Sequence, residues 1–177
     1  LALPGGSALT TANGLSAGKA ILGLNVLAEN LGQPGGVFLA PGEVTSSGLQ
    51  DVKSLIERMN AGNVDVLFIH GVNPLFELPA ALEFKKALSK VKTVISFSSF
   101  EDETVLESDY VMPDHTGLEA FGYQRILAGA DRTTLSSLQP VVQPIHDTRA
   151  TADVLLAAVA SLGGDLASTI NYTDEVD

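Results

Sequence analysis

The sequence contains no cysteine, which removes disulfides, thiolate zinc sites, cysteine-ligated iron–sulfur clusters and a cysteine nucleophile together. Any redox chemistry this chain serves is therefore not housed in it alone, and the missing thiols say nothing of compartment. Aromatic residues are few, 6% against 45% hydrophobic overall. An interior of Val, Leu, Ile and Ala is expected, the composition of an α/β protein. Basic residues are scarce too: 10 Lys and Arg stand against 21 Asp and Glu, a formal charge of −11. A field of that sign repels phosphate backbones and argues against nucleic acid as a partner. It leaves a dinucleotide open, because main-chain N–H groups and helix N-termini hold a pyrophosphate without net positive charge. No apolar run reaches the roughly 18 residues of a membrane span. Neither a Gly-x-Gly-x-x-Gly fingerprint nor a Walker lysine loop occurs, so nicotinamide and ATP sites lack support.

The length of 177 residues suits one domain. We expect a single α/β domain over residues 1–165 and a polar tail over 166–177. The opening Leu1-Ala2-Leu3-Pro4 has neither Met nor a basic leader, which reads as a fragment of a longer chain. Leu1–Leu3 is expected as a strand running into a flexible Gly5-Gly6-Ser7 loop. Ile21, Leu24, Leu27, Ala28 and Leu31 recur at helical steps, predicting a helix from about Ser16 to Leu31 that Gly32 and Pro34 end. Val37-Phe38-Leu39 is a candidate strand, and Ser47 with Gln50 has the spacing of a capping box for a helix ending at Gly62. Val64 to Ile69 is nearly all apolar, as expected of a central parallel strand covered on both faces. A helix from Pro79 to Val91, a strand at Thr93–Phe97, a short acidic helix at Glu101–Glu107 and a strand at Asp109–Pro113 follow. The alternation predicts a three-layer, Rossmann-like parallel sheet with helices on both faces. Residues 117–144 read as irregular, and Asp147 or Thr148 caps a last helix to Leu162.

In such a sheet ligands bind at the carboxyl ends of the strands, near a reversal of strand order. Four loops leave expected strand ends: Gly5-Gly6-Ser7, Gly71-Val72-Asn73-Pro74, Ser96-Phe97-Ser98-Ser99 and Asp114-His115-Thr116. Gly71 admits a ligand close to the main chain, and the Asn73 amide both donates and accepts. The same Gly-x-Asn-Pro also serves simply as a turn that ends a strand. His115 with Glu119 has the types of an acid–base pair, but His70 and His146 lie far off in sequence and no metal-ligand spacing occurs, which favours surface loop residues. Ser96, Ser98 and Ser99 follow a strand without the Gly-x-Ser-x-Gly elbow of a hydrolase.

Taken in order, these motifs resemble the molybdopterin oxidoreductase family, of the dimethyl sulfoxide reductase type. Gly5 to Gly14 resembles its opening strand-loop, Glu29-Asn30-Leu31-Gly32-Gln33-Pro34-Gly35-Gly36 its helix exit, and Gly71-Val72-Asn73-Pro74 its Gly-x-Asn-Pro loop. Phe100 to Pro113 resembles its Glu-Thr and Asp…Pro segment through Glu103, Thr104, Asp109 and Pro113. Pro113 to Glu119, Gln139 to Pro144 and Asp147-Thr148-Arg149 are similar to a narrower branch, the molybdopterin-like, iron–sulfur-bearing subunit of bacterial alternative complex III.

The resemblance implies an internal domain that cradles a guanine dinucleotide arm of bis-molybdopterin in an electron-transfer oxidoreductase, lined by Gly5, Ser7, Gly71, Asn73 and Ser98. No catalytic residue or metal ligand of this segment is implied. Its partners would be other domains of the parent chain and iron–sulfur, cytochrome or membrane subunits, at the periplasmic face of a bacterial membrane. The sequence also departs from the pattern. Ser7 stands where a second Gly is usual, Ser98 where an Asp is usual, and Leu39 to Val44 replaces a polar stretch. The alternative that these departures imply is the same fold kept without cofactor, as a scaffold in a quinol-oxidising respiratory complex.

Overall fold

The computed structural model describes residues 1–38, 47–126 and 134–176. It falls into two compact units, one of Leu1–Val44 with Tyr123–Ser136, the other of Thr45–Gly122 with Ser137–Asp177.

The first unit contains α1 (Gly6–Leu9) and α2 (Gly14–Leu27). Leu1–Leu3 forms no strand, contrary to expectation, and α1 occupies what reads in the sequence as a flexible loop. The main chain of Ala2 is paired by a side chain instead. Its N–H donates to Asn25 Oδ1 at 2.9 Å, and its carbonyl accepts from Asn25 Nδ2 at 2.8 Å. Asn25 is 1% exposed, and its amide supplies both partners that a neighbouring strand would have given. The expected helix ends at Leu27, short of Leu31. Glu29 turns left-handed at φ 54°, and Leu31 joins Val37 in an isolated parallel bridge. Of the described part of the candidate strand at Val37-Phe38-Leu39 that bridge is what forms, and Leu39 lies outside the described residues, as do Ala40 to Val44 and Gly129.

The second unit is built on three parallel strands in sequential order, β1 (Val66–His70), β2 (Thr93–Ser98) and β3 (Tyr110–Pro113). The register sets Leu67 beside Val94, Ile69 beside Ser96 and Phe97 beside Met112. Ahead of β1 comes α3 (Leu49–Asn60), with α4 (Pro74–Glu77) and α5 (Phe84–Leu88) between β1 and β2. Parallel neighbours require such crossovers. The N-terminus of α3 is closed by Asp51, whose carboxylate accepts from the Gly48 N–H at 2.7 Å, rather than by a Ser47–Gln50 pair.

Ile56 and Met59 from α3, Ile69 from β1, Phe84, Ala87 and Leu88 from α5, and Val94 from β2 form the core. Two expectations change here. The expected helix Pro79–Val91 is interrupted, because Glu83 at φ 49°, ψ 38° separates a 3-10 turn at Ala80–Leu82 from α5. That turn aims Phe84, Ala87 and Leu88, an i, i+3, i+4 set, into the core. Secondly, among the described residues β1 is an edge strand covered on one face. Leu67 and Ile69 point to the core, while Val66 and Phe68 remain about half exposed. The strand buried on both faces is β2, through Val94, Ser96 and Phe97.

The acidic segment after β2 forms only a 3-10 turn at Val105–Glu107. Asp102 Oδ1 accepts the N–H groups of Thr104 and Val105 there, both at 2.9 Å, which closes a tight turn in place of a helix. Within the expected irregular excursion, β4 (Gly122–Ile126) and β5 (Thr134–Leu138) pair as a two-stranded sheet. The last expected helix is α6 (Thr151–Leu162), and a short α7 (Gly164–Thr169) extends into the segment read as tail. No helix among the described residues is long and apolar enough to cross a membrane.

Candidate functional site

Parallel strands deliver their carboxyl ends to one rim. In the second unit that rim borders a cleft of about 430 Å³ lined by His70, Gly71, Val72, Asn73 and Glu77, by Phe97 to Phe100, and by Asp102, Asp114 and His115. Three of the five residues expected at a dinucleotide arm, Gly71, Asn73 and Ser98, meet here. Gly5 and Ser7 lie in the first unit, at the cap and inside the first turn of α1. The three strands run in sequential order, so no reversal of strand order lies among them.

Gly71 adopts φ 63°, and a Cβ built there would meet nothing within 4 Å, so its side of the cleft is open. Asn73 is differently placed from the expectation of a ligand-facing amide. Its Nδ2 donates to Glu103 Oε2 at 2.6 Å, and its Oδ1 accepts from Thr104 Oγ1 at 2.7 Å. Thr104, with no exposed surface, also accepts from the Leu75 N–H at 3.2 Å. The Asn73 N–H donates to Glu77 Oε1 at 3.1 Å. The amide from Asn73 holds the Glu103 carboxyl below the usual carboxylate range. Ser98 is likewise occupied: its Oγ donates to the Phe100 carbonyl at 2.8 Å and accepts from the Phe100 N–H at 3.2 Å.

Sequence spacing set His70 apart from the Asp114 loop, but strand register brings them together. His70 Nε2 and Asp114 Oδ2 are 2.8 Å apart. Thr151 gives the same carboxylate two more bonds, from its Oγ1 to Oδ2 at 2.9 Å and from its N–H to Oδ1 at 3.1 Å, and the His115 N–H donates to Oδ1 at 2.9 Å. Partial burial pushes the Asp114 carboxyl up, but bonds from Thr151, His70 and the His115 N–H outweigh it, and the group sits below its usual range. The signal available in the sequence was position: His70 is the last residue of one strand, and Asp114 immediately follows another.

His115 and Glu119 do not form an acid–base pair. His115 Nδ1 is 2.7 Å from Thr148 Oγ1. The Glu119 carboxylate, 8% exposed, accepts the N–H groups of Thr116 at 3.0 Å and Ile145 at 3.1 Å. Those main-chain donors, Thr116 first, hold it below the usual carboxylate range. Among the described residues no cluster of His, Asp and Glu is arranged to hold a metal ion.

The sequence profile of the molybdopterin oxidoreductases matches residues 1–160. The chain belongs to that family. It is also similar to the menaquinone reductase, molybdopterin-binding-like subunit of Nitratidesulfovibrio vulgaris, at 29% identity over 173 residues that cover 91% of this chain. The chain spans 25% of the length of that relative.

A dinucleotide arm of the cofactor this family implies brings a diphosphate. The cleft answers with carboxylates: Glu77, Asp102 and Asp114 line it, and no Lys or Arg is among its described lining residues. Carboxylates and a diphosphate in one cleft repel each other. The neutral side chains of the cleft, the Asn73 amide and the Ser98 hydroxyl, are bonded within the chain. The side chains of this cleft therefore do not fit the diphosphate of a dinucleotide.

Proposed function

We propose that this chain is a cofactor-free scaffold domain of a larger molybdopterin oxidoreductase-family subunit, working in a quinone-linked respiratory complex beside iron–sulfur and cytochrome or membrane subunits. One observation carries the reading: the Asn73 amide is bonded at both ends, to Glu103 at 2.6 Å and to Thr104 at 2.7 Å, in a cleft walled by acids. A polar site that already satisfies its own donors and acceptors gains little from a ligand, which would have to replace each bond. That relative, the molybdopterin-binding-like subunit of a menaquinone reductase, supports both the family context and the quinone link. Electron transfer would then run through neighbouring subunits, and this domain would fix their geometry.

The second reading keeps the cradle, with Gly5, Ser7, Gly71, Asn73 and Ser98 along a guanine dinucleotide arm of bis-molybdopterin. The positive φ and open side of Gly71 favour it. Metal analysis of the complete polypeptide, together with fluorescence of its oxidised pterin, separates the two. The scaffold predicts neither molybdenum nor tungsten and no pterin product; a near-stoichiometric metal with pterin would establish the cradle.

A further inference from the structure

The helix α6 is nearly all apolar, with Asp153 its one charged residue, yet neither α6 nor α7 contains a buried side chain. Leu155 is 39% and Leu162 76% exposed. Helices held in this way draw little from the core, and segments with few buried apolar contacts open ahead of global unfolding. What fastens the start of α6 is polar, at its first residue and at Asp153, whose Oδ1 accepts the Glu175 N–H at 2.8 Å. Thr151 donates its N–H and its hydroxyl to the two carboxylate oxygens of Asp114, and that carboxylate is also bonded to His70 at the end of β1. The Arg149 N–H donates to the Pro113 carbonyl at 3.0 Å, and Ser99 Oγ to the Asp114 carbonyl at 3.0 Å, so the strand ends and the helix start share one knot.

We propose that α6 and α7 form a releasable arm, and that Asp114 is the latch that fastens it to the cleft rim. The carboxylate does two things at once. It serves as N-cap to α6 from a distant loop, in place of Ala150, which has no side-chain acceptor, and it lines the cleft. Loss of the Asp114 carboxylate from Thr151 therefore withdraws the cap, and the arm is released while the β1–β3 core stays folded. Glu77 and Asp102, which line the same cleft, and Asp153 in the first turn of α6 add negative charge around the latch, with His70 and His115 the opposing titratable groups.

Hydrogen exchange followed by mass spectrometry on the complete polypeptide tests this. Wild-type amides of α6 and α7 should exchange faster than those of β2 and α5. D114N should raise exchange throughout α6 and α7 by roughly tenfold, the effect of a lost N-cap, and leave β2 unchanged. T151V should give part of that rise and T151S almost none, which keeps the test decisive if D114N folds poorly. Protection of α6 equal to that of β2 in the wild type, or a D114N effect spread evenly over β2 and α6, would overturn the proposal.

Discussion

Thr104 has no exposed surface, and one hydroxyl joins the Gly71–Pro74 loop to the turn after β2 by donating to Asn73 and accepting from Leu75. Thr104→Val keeps the shape and leaves the Asn73 carbonyl and the Leu75 N–H without this partner. A loss of about 1–3 kcal/mol is expected, read as a lower denaturant midpoint with an unchanged slope; an unchanged midpoint would mean that water substitutes freely. Asn25 makes the same kind of demand in the first unit. Asn25→Leu orphans both main-chain groups of Ala2, and faster hydrogen exchange over residues 1–3 and α2 should report it, with the second unit unaffected. The two positions differ in how visible they are in sequence. Asn73 stands in a recognisable Gly-x-Asn-Pro loop, yet nothing local tells that Glu103 and Thr104, some 30 positions on, will occupy its amide. Asn25 sits in a helical apolar pattern, where a buried amide facing a main chain leaves no periodic signature.

At the scale of elements, apolar runs located β1, β2 and β3, and helical spacing located α3 and α6. The patterns erred where a tertiary contact overrode local preference. The helix expected from Pro79 to Val91 reads as continuous, and only the need to bury Phe84 breaks it at Glu83, whose φ of 49° is a left-handed conformation that favours glycine. Glu83→Gly should therefore be neutral or stabilising by up to about 1 kcal/mol, whereas Glu83→Val should destabilise by a similar amount or more. Thermal midpoints of the pair check this, and equal shifts would remove the strain argument. The strand expected at Leu1–Leu3 failed for another reason: three apolar residues cannot show whether their main chain will meet a strand or an amide.

For the molecule as a whole, acidity is the property that composition announced most clearly, and the structure shows where it matters. Asp114, Glu119 and Glu103 all have folded-state carboxyls below their usual range. A depressed carboxyl contributes stability that is complete above its unfolded value, about 4, and is lost as pH falls through its lower folded value. The chain should hold its stability on the neutral side of pH 4 and lose it steeply below, and Asp114→Asn should flatten part of that loss. Denaturant midpoints measured from pH 7 to pH 2 give the slope; an unaltered slope in the variant would assign the acid sensitivity to other carboxylates. The family could be read from the order of four motifs, and the cleft from strand ends. The fate of the cleft's polar groups could not, since it depends on partners brought together by register and not by spacing.

That fate is the centre of the functional account, and an electron cryomicroscopy map of the complete polypeptide tests it most directly. The account predicts the Asn73 side chain bonded to Glu103 and Thr104, with only solvent between Gly71 and Ser98. Continuous dinucleotide-shaped density along that rim, with the Asn73 amide turned towards it, would contradict it.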